Sequence, residues 1–307
     1  MRQDIAFDAD GVTLRGWLYL PDDSFEPAPI VVVAHDFAAV KEMYLDWFAE
    51  RFAQTGLAVL VFDHRNTGAS DGEPRHEIDP RAQIRDYRHA ITYATTLDVT
   101  DRERIGVWGC GYAGGHVLVV GAIDRRVTCV VAQTPFVSGH ETFRALTRSG
   151  ETAAIRTQFD EDRTGRFAGK APQMVPVVSD NPVRLAALPT ADAHAWFTRT
   201  KTRRARSWRN EVTLRSVEML TEYEPGAYLP RVSPTPLLMI VAHDDHIMPS
   251  ALATAAYALA NEPKRLEVLP GGHFDLYAGG FPDASRLACD WFAEHLLRRG
   301  GTGRSTR

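Results

Sequence analysis

Apolar and polar residues alternate through residues 3–20, and the alternation turns over at Asp10-Gly11, a pair suited to a two-residue hairpin turn. An antiparallel pair of strands is predicted at the amino end. Beyond it the pattern changes to short continuous apolar runs, at Ile30 to Ala34, Ala58 to Phe62, Ile105 to Trp108, Val127 to Ala132, Leu237 to Ala242 and Arg265 to Leu269. Between and after them lie helix-length stretches at about Lys41 to Gln54, Arg81 to Leu97 and Asp283 to Arg298. Runs that are apolar on both faces belong to parallel strands covered by helices on either side. The chain therefore predicts an α/β fold, a mostly parallel twisted sheet flanked by helices.

The alternation stops between Ser138 and Pro234, a gap far too long for an ordinary connection. It reads as an insertion, giving a core of residues 1–138 and 234–299, a helical lid at 139–233 and a disordered tail at 300–307. Apolar positions recur with helical spacing in Ala191 to Thr198 and in Trp208 to Leu220. A lid would sit over the strand ends where open α/β sheets bind ligands. Trp196, Phe197, Trp208, Tyr223 and Tyr228 are then candidates either to line an apolar substrate cavity or to hold the lid together. The basic run from Arg199 to Arg209 suits a solvated lid helix or a docking point for an acidic carrier protein. Apolar lids also pack against second copies, so a homodimer is a further possibility.

Composition narrows the function classes. With 307 residues, 44% hydrophobic and 24% charged, the chain suits a soluble globular protein, and a net charge of −4 lacks the basic footprint of a nucleic-acid binder. Cys110, Cys129 and Cys289 are odd in number and have no paired spacing, which suggests neither a disulfide framework nor a zinc site. The amino end lacks the form of a signal peptide, and no apolar run approaches membrane-spanning length. A cytoplasmic protein with a small-molecule substrate, no nucleic-acid or membrane partner and no cofactor or metal is expected. His35, His243, His246 and His273 form no recognisable ligand set.

The chemistry centres on Ile105-Gly-Val-Trp-Gly-Cys-Gly-Tyr-Ala-Gly-Gly115, which has the form of a sharp strand-to-helix turn. Such a nucleophile elbow needs small residues two before and two after its tip. Gly109 and Ala113 are those residues, which leaves Gly111 at the tip with nothing to attack a substrate. Cys110 is the rival nucleophile, but a one-residue shift puts Trp108 and Tyr112 where bulk is forbidden. A small buried hydrophobe beneath the turn is the alternative role for Cys110.

With Val31-Val-Val-Ala-His35, the Phe62 to Gly72 segment, Leu237 to Pro249 and Leu269-Pro-Gly-Gly-His-Phe-Asp-Leu-Tyr277, the chain resembles an α/β-hydrolase-fold protein of the dienelactone-hydrolase-like kind. Its elbow is similar to the Gly-x-Ser-Tyr-x-Gly of cocaine-esterase-type enzymes. The resemblance implies Asp245 as the acid, with Asp244 as fallback, and His273 as the histidine. An acid holding one imidazole nitrogen leaves the other free to take a proton. His35 is implied to support its loop, and Asp63 and Arg65 read as loop organisers.

The resemblance also exposes a second departure, at His35-Asp36-Phe37, where the family has His-Gly and then a residue whose N–H helps form an oxyanion hole. Asp36 in the glycine's place sets a carboxylate where negative charge would have to be stabilised. It is read as a participant in proton transfer, as a helix cap, or as a partner of Lys41 or Arg65. Tyr112 would offer the other oxyanion N–H. Phe37, Gly111, Tyr112, Cys110, His140, Glu141, Trp196 and Trp208 are the candidate substrate contacts.

Three functions follow. A lyase or cyclase of a small, largely apolar metabolite, plausible in natural-product biosynthesis, would use the His273-Asp245 pair as general base, with Asp36 assisting and no covalent nucleophile. A serine-free hydrolase would activate water over Gly111. A pseudoenzyme would only bind a ligand, which leaves the retained Asp245 and His273 without a purpose. Asp36 and Ala113 weigh against a lone serine-to-glycine change in an ordinary esterase. The first reading is the one expected here.

Overall fold

The computed structural model describes residues 1–22, 26–148, 150–181 and 183–298, so the tail expected at 300–307 lies outside the described residues. Strands β1 (Arg2–Ala9) and β2 (Val12–Tyr19) form the hairpin, with Asp10 and Gly11 both at positive φ, as that turn demands. The parallel strands are β3 (Ala28–Ala34), β4 (Ala58–Phe62), β5 (Thr100–Cys110), β6 (Val127–Gln133), β9 (Leu237–Ala242) and β10 (Lys264–Leu269). The sheet runs in the order β1-β2-β4-β3-β5-β6-β9-β10, with β1 antiparallel to β2, β2 antiparallel to β4 and the remaining pairs parallel.

Every residue of β3, β4 and β9 is buried, because helices cover both faces. One apolar layer collects α1 (Leu45–Gln54) and α9 (Phe281–Phe292); the other collects α2 (Pro80–Thr95) and α3 (Tyr112–Ile123). Helix α1 starts four residues later than the periodicity suggests. Lys41 is held instead by Asp63, which accepts from both its backbone N–H and its Nζ. Helix α2 starts cleanly because Asp79 caps the N–H groups of Arg81 and Ala82, with Pro80 in the first turn. Helix α9 passes directly into a wider helical turn, Ala293–Leu297, so the closing helical stretch ends within a residue of the expected Arg298.

Between β6 and β9 the chain forms α4 (Gly139–Leu146), α5 (Thr152–Phe167), α6 (Ala191–Arg203) and α7 (Leu214–Glu222), with β7 (Met174–Val175) paired to β8 (Val212–Thr213). Helix α8 (Ser250–Tyr257) follows β9. Of the two helices expected here, the first extends to Arg203. The second begins only at Leu214, because residues 208–213 are spent on contacts to the core and on β8.

Candidate active site

The turn from β5 into α3 is drawn tight by backbone alone. The Gly111 N–H donates to Gln133 O at 3.0 Å, and its own carbonyl accepts from Phe136 N–H at 2.9 Å and Gly115 N–H at 3.2 Å. Gly111 stands at φ 57°, ψ −117°, which a side chain rarely adopts. A Cβ on Gly109 would strike the backbone of Ala113, which is why small residues flank the tip.

Three loops at the carboxyl ends of the strands bring acidic and basic groups to this tip. Asp36 follows β3, Asp245 follows β9, and His273 opens a short helical turn, His273–Tyr277, after β10. His273 Nδ1 lies 2.7 Å from Asp245 Oδ2, while Asp245 Oδ1 accepts from the N–H groups of Ile247 (2.9 Å) and Met248 (2.8 Å). Asp245 is thus the acid that orients the histidine. The fallback, Asp244, pairs with His243 at the surface.

The other face of the imidazole departs from expectation. His273 Nε2 is not free to accept a proton, because it lies 2.9 Å from Asp36 Oδ2. Asp36 Oδ1 accepts two backbone N–H groups, from Phe37 and from Tyr112, each at 2.6 Å. Those are the two donors that the sequence assigns to an oxyanion. A Cβ on Gly111 would sit well under 3.0 Å from the carboxylate carbon and both its oxygens. The side chain of Asp36 therefore fills the space a side chain at position 111 would need. Pairing of Asp36 with Lys41 or Arg65 is excluded by geometry, since Lys41 pairs with Asp63 and Glu42, and Arg65 with Asp86.

Burial sets the electrostatics. The side chains of His273, Asp36 and Asp245 are 0%, 2% and 1% exposed. Burial alone pushes the His273 pKa down, but the charge and hydrogen bond of Asp245, then those of Asp36, outweigh it and hold the ring well above its ordinary value. Burial pushes Asp36 up, yet the His273 hydrogen bond and charge, followed by the Tyr112 and Phe37 N–H groups, hold it below the ordinary carboxylate value. Both directions favour a protonated His273 ring beside an ionised Asp36. A free general base at His273 is thereby replaced by an ion pair that carries an acid, Nε2–H, and a base, Oδ2, side by side.

Around this centre the other candidates divide. His35 is a loop support, with Nε2 2.6 Å from Met43 O and Nδ1 accepting the Asp36 N–H at 2.7 Å. Asp63 and Arg65 organise their loops as expected. Phe37 and Tyr112 meet edge to face at 5.3 Å beside the carboxylate. Cys110 lies beneath the turn near Thr134 Oγ1, and burial pushes its thiol up to about 11, which fits a packing residue and not a nucleophile.

Trp196 stacks on Phe274, the residue after His273, at 4.6 Å, and Trp208 Nε1 donates to Ala38 O at 2.8 Å. Trp196 thus ties the 139–233 segment to the turn after β10, and Trp208 ties it to the loop after β3. Trp208 also borders a cavity of about 210 Å³ with Ala38, Val40, Ile78 and Val212. Tyr223 and Tyr228 border a separate charged cleft of about 770 Å³. His140 and Glu141 are not brought to the site; they lie on the outer part of α4, with His140 exposed. In the basic run, Arg204 pairs with Asp46 and lies over the rings of Tyr44 and Trp47, so part of it is a clasp to the core.

Two contacts escaped the sequence reading. His116 sits one helical turn beyond Tyr112, 2.9 Å from both Tyr223 Oη and Gln83 Oε1, and burial holds its pKa far below the ordinary value. The i, i+4 spacing from Tyr112 was the available signal. Tyr277, one helical turn beyond His273, places a buried ring against His35 at 5.4 Å. Among the described residues no cluster of His, Cys, Asp and Glu has the arrangement of a metal site.

Residues 10–275 match the family model described as X-Pro dipeptidyl-peptidase (S15 family). The chain belongs to that family. It is 32% identical over 276 residues to the quorum-quenching protein AidA of Acinetobacter baumannii, covering 90% of this chain and 89% of that one. It is 31% identical over 283 residues to a thiohydrolase of Eupenicillium brefeldianum, covering 91% and 89%. The crystal structure of the α/β hydrolase GrgF from Penicillium sp. sh18 superposes with a TM-score of 0.82 at 25% identity, covering 97% of this chain and all of that one. The fold is that of the α/β hydrolases, and the chain is an enzyme of that kind. No helix of the described residues is long and apolar enough to cross a membrane.

Proposed function

We propose that this family member does not transfer acyl groups through a serine. Instead it carries out an elimination or cyclisation on a small, largely apolar metabolite, in which the Asp36–His273 ion pair moves protons. One observation carries the reading: Asp36 Oδ1 already accepts both N–H groups that would stabilise a substrate oxyanion. With Gly111 at the tip, the site offers neither a serine nor an open oxyanion hole. It does offer a carboxylate oxygen to take a proton and an imidazolium to give one, 2.9 Å apart.

In an elimination, Asp36 Oδ2 takes the proton from the carbon next to a carbonyl, and His273 Nε2–H protonates the departing group. Asp245 keeps the imidazole oriented throughout. The depressed pKa of Asp36 makes it a weak base at rest. Handing the Nε2 proton to the substrate neutralises the ring and raises the basicity of the carboxylate when it is needed. The segment 139–233 acts as a lid, since Trp196 and Trp208 seal the centre and must lift for entry. The names borne by the thiohydrolase and the quorum-quenching relative favour small, metabolite-like substrates. They also favour a hydrolytic alternative, against which stands the Asp36 carboxylate on His273 Nε2, where an activated water would have to sit.

The test is incubation of the full chain in deuterium oxide with small apolar β-acyloxy ketones, followed by proton NMR, alongside p-nitrophenyl esters and acyl thioesters. Release of the carboxylic acid with appearance of the conjugated enone, both abolished in Asp36→Asn, is expected. Turnover of the esters that needs His273, with no elimination, would replace this reading by the hydrolytic one.

A further inference from the structure

A second cavity, of about 280 Å³, lies wholly within the 139–233 segment, between α4, α5, residues 183–189 and α7. Its walls are mostly apolar: Phe143 and Leu146 from α4, Ile155 from α5, Leu185 and Ala187 from the connecting chain, and Val217 from α7. Ile155 and Val217 belong to the larger of the two apolar clusters, so these walls are anchored. Asp36, Gly111, Asp245 and His273 do not border the cavity, which makes it a site apart from the reaction centre.

Helix α5 lacks a partner on the side that meets this space. Over its sixteen residues it buries only Ile155, Phe159 and Asp162. Glu151, Ala154, Ile155 and Gln158 recur at the spacing of one helix face, and all four line the cavity or its opening. A helix held by so narrow a buried stripe gains from an apolar filling there. Charge then distinguishes the two ends of an occupant. Arg148 and Arg184 line the cavity yet are exposed, so they stand where it opens to solvent. Arg148 reaches Glu151 only at 3.9 Å. The Arg184 guanidinium has no ion pair or hydrogen bond among the described residues. Two arginines against one glutamate leave an uncompensated cation at the opening, and a guanidinium of this kind binds carboxylates through paired hydrogen bonds.

We propose that this cavity binds an unbranched aliphatic carboxylate of medium length, with the chain inward and the head group on Arg184 and Arg148. At roughly 30 Å³ for a group the size of a water molecule or a methylene, the space holds about nine carbons. The bound chain supplies the apolar partner that α5 lacks and ties α4, α5 and α7 into one body, so the segment over the strand ends stiffens. The inference rests on this cavity alone and does not depend on the elimination reading.

The experiment titrates the unaltered full chain at neutral pH with hexanoate, octanoate, decanoate and dodecanoate by calorimetry, below micelle formation, with decanol as the neutral control. Hydrogen exchange read by mass spectrometry then locates bound decanoate. Affinity should rise about fourfold per methylene as far as decanoate and level off at dodecanoate, whose last carbons find no room. Exchange should slow in Thr152–Phe167 and in residues 183–189. Ala154→Trp, at an exposed position of α5, should fill the space and abolish binding with its urea midpoint unchanged. Arg148→Gln with Arg184→Gln should weaken decanoate about tenfold and leave decanol unaffected. Equal affinity for decanoate and decanol, or no loss in the arginine variant, overturns the carboxylate assignment. Binding that survives Ala154→Trp, or slowed exchange confined to residues 35–40 and 271–277, overturns the site. Absence of both heat and protection with every chain length overturns the proposal outright. None of these failures touches the elimination, which the β-acyloxy ketones test separately.

Discussion

Replacing Gly111 by alanine adds one carbon at the point where the structure has least room for it. That carbon would lie well under 3.0 Å from the carboxylate carbon and both oxygens of Asp36, so the carboxylate must move. Moving it surrenders two backbone hydrogen bonds of 2.6 Å and the contact with His273. Overpacking of this kind costs about 1–3 kcal/mol, and an alanine held at φ 57° adds about 1–2 kcal/mol. Gly111→Ala should therefore destabilise the fold by about 2–5 kcal/mol. In an Asp36→Ala background the obstruction is gone and only the backbone term remains. The two positions should be coupled by about 2 kcal/mol in a double-mutant cycle, the double mutant being more stable than the sum of the singles predicts. Urea unfolding followed by tryptophan fluorescence measures this directly. Additivity to within about 0.5 kcal/mol would refute the claim that the Asp36 carboxylate stands over Gly111.

Other consequences can be checked with the same protein. The pair Asp36→Gly with Gly111→Ser should gain p-nitrophenyl ester hydrolysis absent from Gly111→Ser alone, because freeing a single oxyanion donor is worth about 10²–10³ in rate; equal rates would show that Asp36 does not block the hole. Stability should depend on pH at both ends of the range. The raised pKa of His273 gives stabilisation that is complete below about 6.5 and lost as pH rises through its folded value. The lowered pKa of Asp36 gives stabilisation present above about 3.9 and lost as pH falls through its folded value. Asp36→Asn should bring the alkaline loss to lower pH, and urea midpoints that do not shift would contradict the ion pair. All three cysteines are buried, with Cys110 and Cys289 each pushed up to about 11, so the native chain should resist thiol reagents and Cys110→Ala should keep whatever activity the native chain has. Rapid labelling of Cys110 with loss of turnover would reinstate it as the nucleophile.

The sheet was legible because its strands are apolar on both faces, and the hairpin because Asp10-Gly11 supports the backbone the turn needs. Helix α5 was not. Its residues Thr152–Phe167 bury only Ile155, Phe159 and Asp162, too narrow a stripe to stand out among arginines and aspartates. The stretch from Trp208 misled for the opposite reason, since its apolar residues are spent on Ala38 and on β8 and not on a helix face. At the site, the chemistry of Asp36 was visible as a charge in the wrong loop. Its meeting with His273, 237 positions away in sequence, was not, because no local pattern encodes which way a side chain turns after a strand end. That contact changes the account most, converting a free base into an ion pair.

The most direct measurement is nitrogen-15 NMR of the histidine rings, with His273 assigned by loss of its signals in His273→Gln. Both ring nitrogens of His273 are expected to carry protons at neutral pH and to keep them well above the range in which ordinary histidines titrate, and Asp36→Asn is expected to abolish this behaviour. A neutral ring at pH 7 with one unprotonated nitrogen would contradict the ion pair and return His273 to the role of a free base.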